Sequence, residues 1–420
     1  MAIDFTLSPE ELGLRAQAHE FAEKVLSGVP EAIAPLADPL DRFRALQPFY
    51  QQMVDAGFVK GLVPAENGGG RFTNLQFALA CEELARVDVN VASAVLGTGL
   101  GLYPIVVGGT PEQKERFFAP FLDGSPALGA IAFSEAAGAA NFDSPDPSVG
   151  VQTFAVRDGD SLVINGRKAY TTNASGWDDR GADLISVVCR TDPSKPPAES
   201  LAVVVVERGT PGVEITGMID TMGHLATNSP IVEFRDVRVP LDNMIGTPGE
   251  EGMALVKGAF SWTCSSIAAA CVGRMRAAFD IAYEFLRTET RGAPVPVIEH
   301  QNAGYMLADI KTRIEAGRYL AWKAADQFDK TGGLDRELSN MSKIYNSELS
   351  VQVVYDAMRL VGVDAYGDRS SIAPIMQDVL CFPVYDGGNM GVRRRHLHEM
   401  LKTPGYDPLA VSESRNSFPA

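Results

Sequence analysis

The feature that most constrains this chain is a hydrophobic period that changes twice along its length. From about residue 8 to 125 the apolar positions recur at helical spacing, and from about 250 to 402 they do so again. Between them, from about 126 to 248, the texture breaks into short β-rich runs separated by turn residues. Segregated zones of this kind predict an α+β fold rather than a doubly wound sheet. The expected domains are an N-terminal helical domain (1–125), a middle β-barrel or sheet domain (126–248) and a C-terminal helical bundle (249–420). Ser8-Pro9-Glu10-Glu11 reads as a helix start, with a capping Ser, Pro at the first position and acids in the first turn. Phe154–Arg157 and Ser161–Ile164 flank Asp158-Gly159-Asp160 and read as a hairpin with an Asp-Gly turn. Further strands are expected at Leu184–Cys189, Leu201–Glu207 and Ile231–Val239, and long helices at Ser265–Arg287, His300–Phe328 and Glu337–Val361.

Composition narrows the function classes. Lys plus Arg number 37 against 53 Asp plus Glu, a net charge of −16, and the one dense basic run is Arg393-Arg394-Arg395. That balance disfavours nucleic acid. The five cysteines are scattered without a C-x-x-C pair, which argues against a disulfide framework or a structural zinc. His396 and His398, two apart, do not share a helix face, and no metal site is expected. Val89 to Pro111 carries no charge and is nominally long enough to span a bilayer, but its glycines and Pro104 favour a buried helix plus turn. No secretory signal is visible at Met1-Ala2-Ile3-Asp4, so the expected setting is cytoplasmic, without a membrane. Neither G-x-G-x-x-G at a strand–helix junction, nor a P-loop, nor G-x-S-x-G is present. Gly68-Gly69-Gly70 reads as a turn, and the polar tail after about Thr403 as loosely held.

The most pointed segment is Phe382-Pro383-Val384-Tyr385-Asp386-Gly387-Gly388-Asn389-Met390-Gly391-Val392-Arg393. Its glycines allow close backbone approach to a flat ligand. From spacing alone, Asp386 is better read as a cap for the basic segment starting near Asn389 than as a positioned base. Arg393 either holds that carboxylate or is solvated.

The three-zone order resembles the acyl-CoA dehydrogenase superfamily across essentially the whole chain. Asp386 stands where that superfamily carries its catalytic Glu, Phe133-Ser134-Glu135 resembles its first flavin-contacting strand, and Lys168 to Asn173 resembles its segment with a hydroxyl at the flavin. Asn173–Trp177, Gly181–Leu184, Val297–Gln301, Arg42 to Tyr50 and the stretch from Asp386 to Arg395 resemble more narrowly the nitroalkane oxidases, whose base is an Asp paired with an Arg seven residues on.

That resemblance implies FAD-dependent oxidation of a small nitroalkane by molecular oxygen, giving an aldehyde or ketone, nitrite and hydrogen peroxide. Asp386 would abstract the α proton, with Arg393 and Thr263 beside it. It implies flavin contacts from Ile131, Ala132, Phe133, Ser134, Ala139, Ala140 and Asn141, and from Tyr170, Thr171 and Thr172. Gly387, Gly388, Met358 and Arg359 would also touch FAD, and Arg291, His300 and Gln301 would hold its diphosphate and adenine near a dimer interface. A homotetramer, a dimer of dimers, is implied with it. Two positions depart from the family pattern: Thr263 replaces a Ser, and Tyr170-Thr171-Thr172 replaces Trp-Pro-Ser. Both keep a hydroxyl while adding methyls that alter pocket shape and hence substrate range. The alternatives on this scaffold are an acyl-CoA dehydrogenase with an Asp base, a flavin monooxygenase, and an idle flavin-containing nucleic-acid-binding relative.

Overall fold

Capping chemistry starts most of the first-zone helices. In this computed structural model, which describes residues 6–333, 336–367 and 370–417, helices of eight or more residues are numbered in chain order. Met1–Asp4 lie outside the described residues. The Ser8, Thr73 and Thr110 hydroxyls close capping boxes that open α1 (Pro9–Lys24), α3 (Asn74–Val87) and α5 (Pro111–Phe118). The second helix, α2 (Gln47–Asp55), begins without a side-chain cap, and Asp88 caps α4 (Val89–Gly108) through the Val91 amide.

The uncharged stretch is this last helix, and its glycines serve packing. A Cβ on Gly101 would lie 2.5 Å from the Ala130 nitrogen, so only glycine lets α4 settle onto the first strand. The helix is held there by Ser186 Oγ, which donates to the Gly101 carbonyl at 2.7 Å.

The middle zone is an eight-stranded sheet: β1 (Gly129–Ala132), β2 (Phe154–Asp158), β3 (Ser161–Lys168), β4 (Leu184–Arg190), β5 (Leu201–Glu207), β6 (Val213–Met218), β7 (Pro230–Pro240) and β8 (Met244–Ile245). Its order is β6-β7-β3-β2-β4-β5-β8, with β1 lying parallel against β4. Every residue of β4 is buried, as expected for a strand covered on both faces. The hairpin loop is Gly159-Asp160, because Asp158 still pairs with Ser161 and Gly159 takes φ 61°.

The C-terminal zone holds α6 (Glu250–Thr288), α7 (Gln301–Thr331), α8 (Glu337–Val361), α9 (Ile372–Val379) and α10 (Arg394–Lys402). Two sequence expectations need correction. The first long helix begins at Glu250, not near Ser265, because Glu250 and Glu251 favourably occupy its first turn. The tail is also not loose: Tyr406 donates to Glu337 at 2.6 Å, Ser417 Oγ bonds the same carboxylate, and the Asp407 amide donates to the Ser417 carbonyl at 3.0 Å. Against α6 pack α3, α7 and α8, so this 39-residue rod, apolar and long enough to cross a membrane by length and composition, is mostly buried in protein.

Candidate active site

After α9 the chain reaches Asp386 through a left-handed residue. Asp386 has φ 51°, Gly387 φ 83° and Gly388 φ 62°, and a π-helical turn from Gly388 to Arg393 follows. Asp and Asn tolerate that region better than most residues, and a wide turn of this kind often marks a functional site. The turn carries no side-chain cap, so the capping role favoured by spacing is overturned. The Asp386 side chain, 5% exposed, points instead to the middle of α6. Thr263 Oγ1 lies 3.0 Å from Asp386 Oδ1, and Arg393 Nη2 donates to Oδ2 at 2.5 Å. Arg393, 1% exposed, also donates to the Asp386 carbonyl from Nε at 3.1 Å and from Nη2 at 2.7 Å, and to the Phe260 carbonyl at 3.0 Å. Burial works against its charge, but the Asp386 carboxylate and neighbouring Cys264 offset that and leave its pKa above the ordinary value.

The Phe260 carbonyl is a hub, lying 3.0 Å from Thr263 Oγ1 as well, so the single Thr263 hydroxyl proton is shared between this carbonyl and Asp386 Oδ1. The Phe260 ring packs on Phe133 with centroids 4.7 Å apart, which ties the end of β1 to the carboxylate. The stretch from Ala139 to Asn141 reaches the same place: Arg395 donates to the Ala140 carbonyl at 2.9 Å, and a Cβ on Gly391 would lie 3.0 Å from that of Ala140. Ile131 and Ala132 are buried in β1.

A buried ion pair fixes the neighbouring segment. Lys168, with no exposed surface, donates to the Phe133 carbonyl at 3.0 Å and to Glu135 Oε1 at 2.8 Å, while the Ala169 amide donates to the Ser134 carbonyl at 2.9 Å. Burial pushes the Lys168 ammonium below its usual pKa against the pull of Glu135. Burial also raises Glu135, but the Lys168 charge and donated hydrogen bonds prevail and leave it lowered. Next in chain, Tyr170 (φ 55°) turns its ring outward at 62% exposure, while Thr171 is buried and its hydroxyl has no partner. Thr172 abuts α4, where a Cβ on Gly97 would fall 3.0 Å from its methyl. The buried Thr171 hydroxyl, left without a partner, is a group that the polar edge of a flat cofactor such as a flavin would satisfy. Trp177 belongs to the core: its ring stacks on Phe43 at 4.6 Å and its Nε1 donates to the Pro126 carbonyl at 2.7 Å.

Beyond Tyr385 lies a cavity of about 10 Å³, lined by Cys81, Val89, Ala92, Ser93, Leu96, Ser266, Ala270, Phe382 and Tyr385. Thr263, Ser266 and Ala270 stand at helical spacing, so this small void lies on the same face of α6 as Thr263, one to two turns further along.

The remaining sequence candidates do not join this group. Arg291 pairs with Asp364 and covers the Phe285 ring at 4.6 Å, and Gln301 bonds Tyr305. His300 is exposed at the start of α7, and Arg359 pairs with Asp356 at 3.0 Å, with half-buried Met358 beside it on α8. From Thr263 to Thr288, where the Arg291 loop begins, α6 rises about 38 Å at 1.5 Å per residue.

Two groups escaped the sequence reading, Phe260 and Lys343. Nothing in the sequence marks a carbonyl hub. Lys343 carried one signal, a run of small polar residues from Ser339 to Ser350 at helical spacing, all of which fold inward at 339, 340, 342, 343, 346, 347 and 350.

Comparison with known proteins agrees with this architecture. Sequence models of the acyl-CoA dehydrogenase N-terminal, middle and C-terminal domains match residues 8–125, 130–237 and 250–401. A nitroalkane oxidase from Fusarium oxysporum is 35% identical, covering 98% of this chain and 97% of that protein. One from Podospora anserina is 36% identical over the full length of both. A solved nitroalkane oxidase, an active-site mutant crystallized with 1-nitrooctane, superposes with a TM-score of 0.94 at 35% identity over 98% of this chain and all of that one. Butyryl-CoA dehydrogenase from Megasphaera elsdenii follows at 0.85 and 26% identity, over 96% of this chain and all of that one. With three domain models in register and full-length relatives at this identity, the chain belongs to the acyl-CoA dehydrogenase family, in its nitroalkane oxidase branch.

Proposed function

We propose that this protein is an FAD-dependent oxidase of small nitroalkanes, yielding an aldehyde or ketone, nitrite and hydrogen peroxide. The observation that carries the reading is the Asp386 carboxylate, nearly buried at a left-handed turn with one oxygen on Arg393 and the other beside Thr263. With both oxygens held, the carboxylate meets the substrate carbon in one orientation, so its advantage comes from placement as well as basicity. A positioned base of this kind contributes roughly 10²–10⁴ in rate. Arg393 orients the carboxylate through one oxygen, and Thr263 stands against the other. The Asp386 side chain is one methylene shorter than Glu, which suits a small substrate better than a thioester.

When bound, FAD supplies a two-electron acceptor that molecular oxygen reoxidises. Its ring is assigned to Ile131–Ser134, Ala139–Asn141, Tyr170–Thr172, Gly387 and Gly388. Arg291, His300, Gln301, Met358 and Arg359 lie too far along the bundle to serve the same pocket of one chain. A second copy would bring its own set to this site, as in the homotetramer proposed here.

The test is anaerobic mixing of the flavin-loaded protein with nitroethane, beside a parallel cuvette of butyryl-CoA. Bleaching by nitroethane with nitrite release, absent in Asp386→Asn, is expected. Bleaching by the thioester alone would replace this reading with that of a dehydrogenase.

A further inference from the structure

We propose that Lys343 is a positioning residue for Asp386, acting through the peptide that carries it; the inference rests on Asp386 being the base. Lys343 stands on α8 with no exposed surface, and its Nζ donates to the Tyr385 carbonyl at 3.0 Å and to Asn389 Oδ1 at 2.9 Å. The Tyr385 carbonyl belongs to the peptide entering Asp386, and Arg393 holds the carbonyl leaving it. Two buried cations therefore grip the two carbonyls on either side of the base.

The grip has a physical reason. Asp tolerates the left-handed region better than most residues, but a single side chain stays there in one orientation only where its surroundings fix it. Asn389 extends the clamp, its Nδ2 donating to Ser347 Oγ at 2.9 Å and Glu348 Oε1 at 3.1 Å, so the Lys343 face of α8 carries the underside of the π-helical turn. Among the described residues no carboxylate lies within ion-pair distance of Nζ, and a buried ammonium held by a carbonyl and an amide is a costly arrangement for packing alone.

The experiment compares the flavin-loaded wild type with Lys343→Met and Lys343→Arg, on nitroethane and on preformed ethyl nitronate, which has already lost its α proton. Displacement of a base by about 1 Å costs up to about 10²-fold, so Lys343→Met should lose about 10- to 100-fold in kcat/KM on nitroethane. On the nitronate it should lose less than about three-fold, because no base is needed, and Lys343→Arg should recover part of the loss. Equal losses on both substrates, or no loss on nitroethane, overturn the proposal. If Lys343→Met does not fold, Asn389→Ala removes one of the two Nζ acceptors and should show the same split. A wild type inert toward both substrates would sink the functional reading instead. The clamp is then judged by hydrogen exchange across residues 383–393, which Lys343→Met must speed by about ten-fold, and unchanged exchange there overturns it.

Discussion

Replacing Arg393 with methionine would strip four hydrogen bonds, three to Asp386 and one to the Phe260 carbonyl of α6, and leave the Asp386 carboxylate buried without its closest cation. The pair is 1% and 5% exposed, so water cannot take over the lost contacts. Breaking a buried pair by removing one partner costs about 3–5 kcal/mol. At about 2.1 cal/mol/K per residue, a 420-residue chain melting as one unit has an unfolding entropy near 0.9 kcal/mol/K. The loss then lowers the melting temperature by about 3–6 °C. Scanning calorimetry of wild type, Arg393→Met, Asp386→Asn and the double variant measures it. The double variant should regain roughly half of the Arg393→Met loss or more, because the stranded charge is gone. The shift should persist in 1 M salt, which screens exposed pairs and not this one. An Arg393→Met shift under about 1 °C, or a double variant that merely sums the singles, would refute the claim that Arg393 neutralises a desolvated carboxylate.

The other predictions address reach, cavity, cofactor and pH. Asp386→Glu should lower nitroalkane turnover by up to about 10²-fold, since the longer arm overshoots by about one bond; unaltered steady-state rates would sink the argument from arm length. Leu96→Ala enlarges the void beyond Tyr385 and should cost about 2–5 kcal/mol of stability, read as a lowered melting temperature; an unchanged melting temperature would overturn the packing role given to Leu96. Gly97→Ala should weaken FAD retention, read as the flavin-to-protein absorbance ratio after gel filtration, because its methyl displaces Thr172. Burial, with the Arg393 charge, pushes Lys343 from 10.5 down to about 8, so between those values the unfolded chain binds the proton more tightly. Stability from this site therefore rises with pH across that window. Melting temperatures of wild type and Lys343→Met at pH 7 and pH 10 should shift relative to one another in the wild type's favour.

Much of this molecule follows from local rules. The Ser8, Thr73 and Thr110 caps need only neighbouring residues to form, and the β-branched run Leu201–Glu207 marks a strand in the sequence although it forms only against β4 and β8. Asp386 shows where local reasoning stops. Spacing favoured a helix cap, and the competing partners, Thr263 and Arg393, come from 123 residues upstream and seven downstream. Lys343 has no local mark of its role, because its partner, the Tyr385 carbonyl, lies 42 residues away and meets it only when α8 packs against the turn.

By itself, then, the sequence determined the three zones, the caps and the identity of the residue types at the turn, because periodicity and capping act within a few residues. Only the tertiary structure decided that Asp386 is a desolvated, doubly held carboxylate, that two buried cations bracket it, and that Arg291 and His300 lie at the other end of the bundle. Those facts depend on which surfaces meet, and burial, charge pairing and distance arise only there.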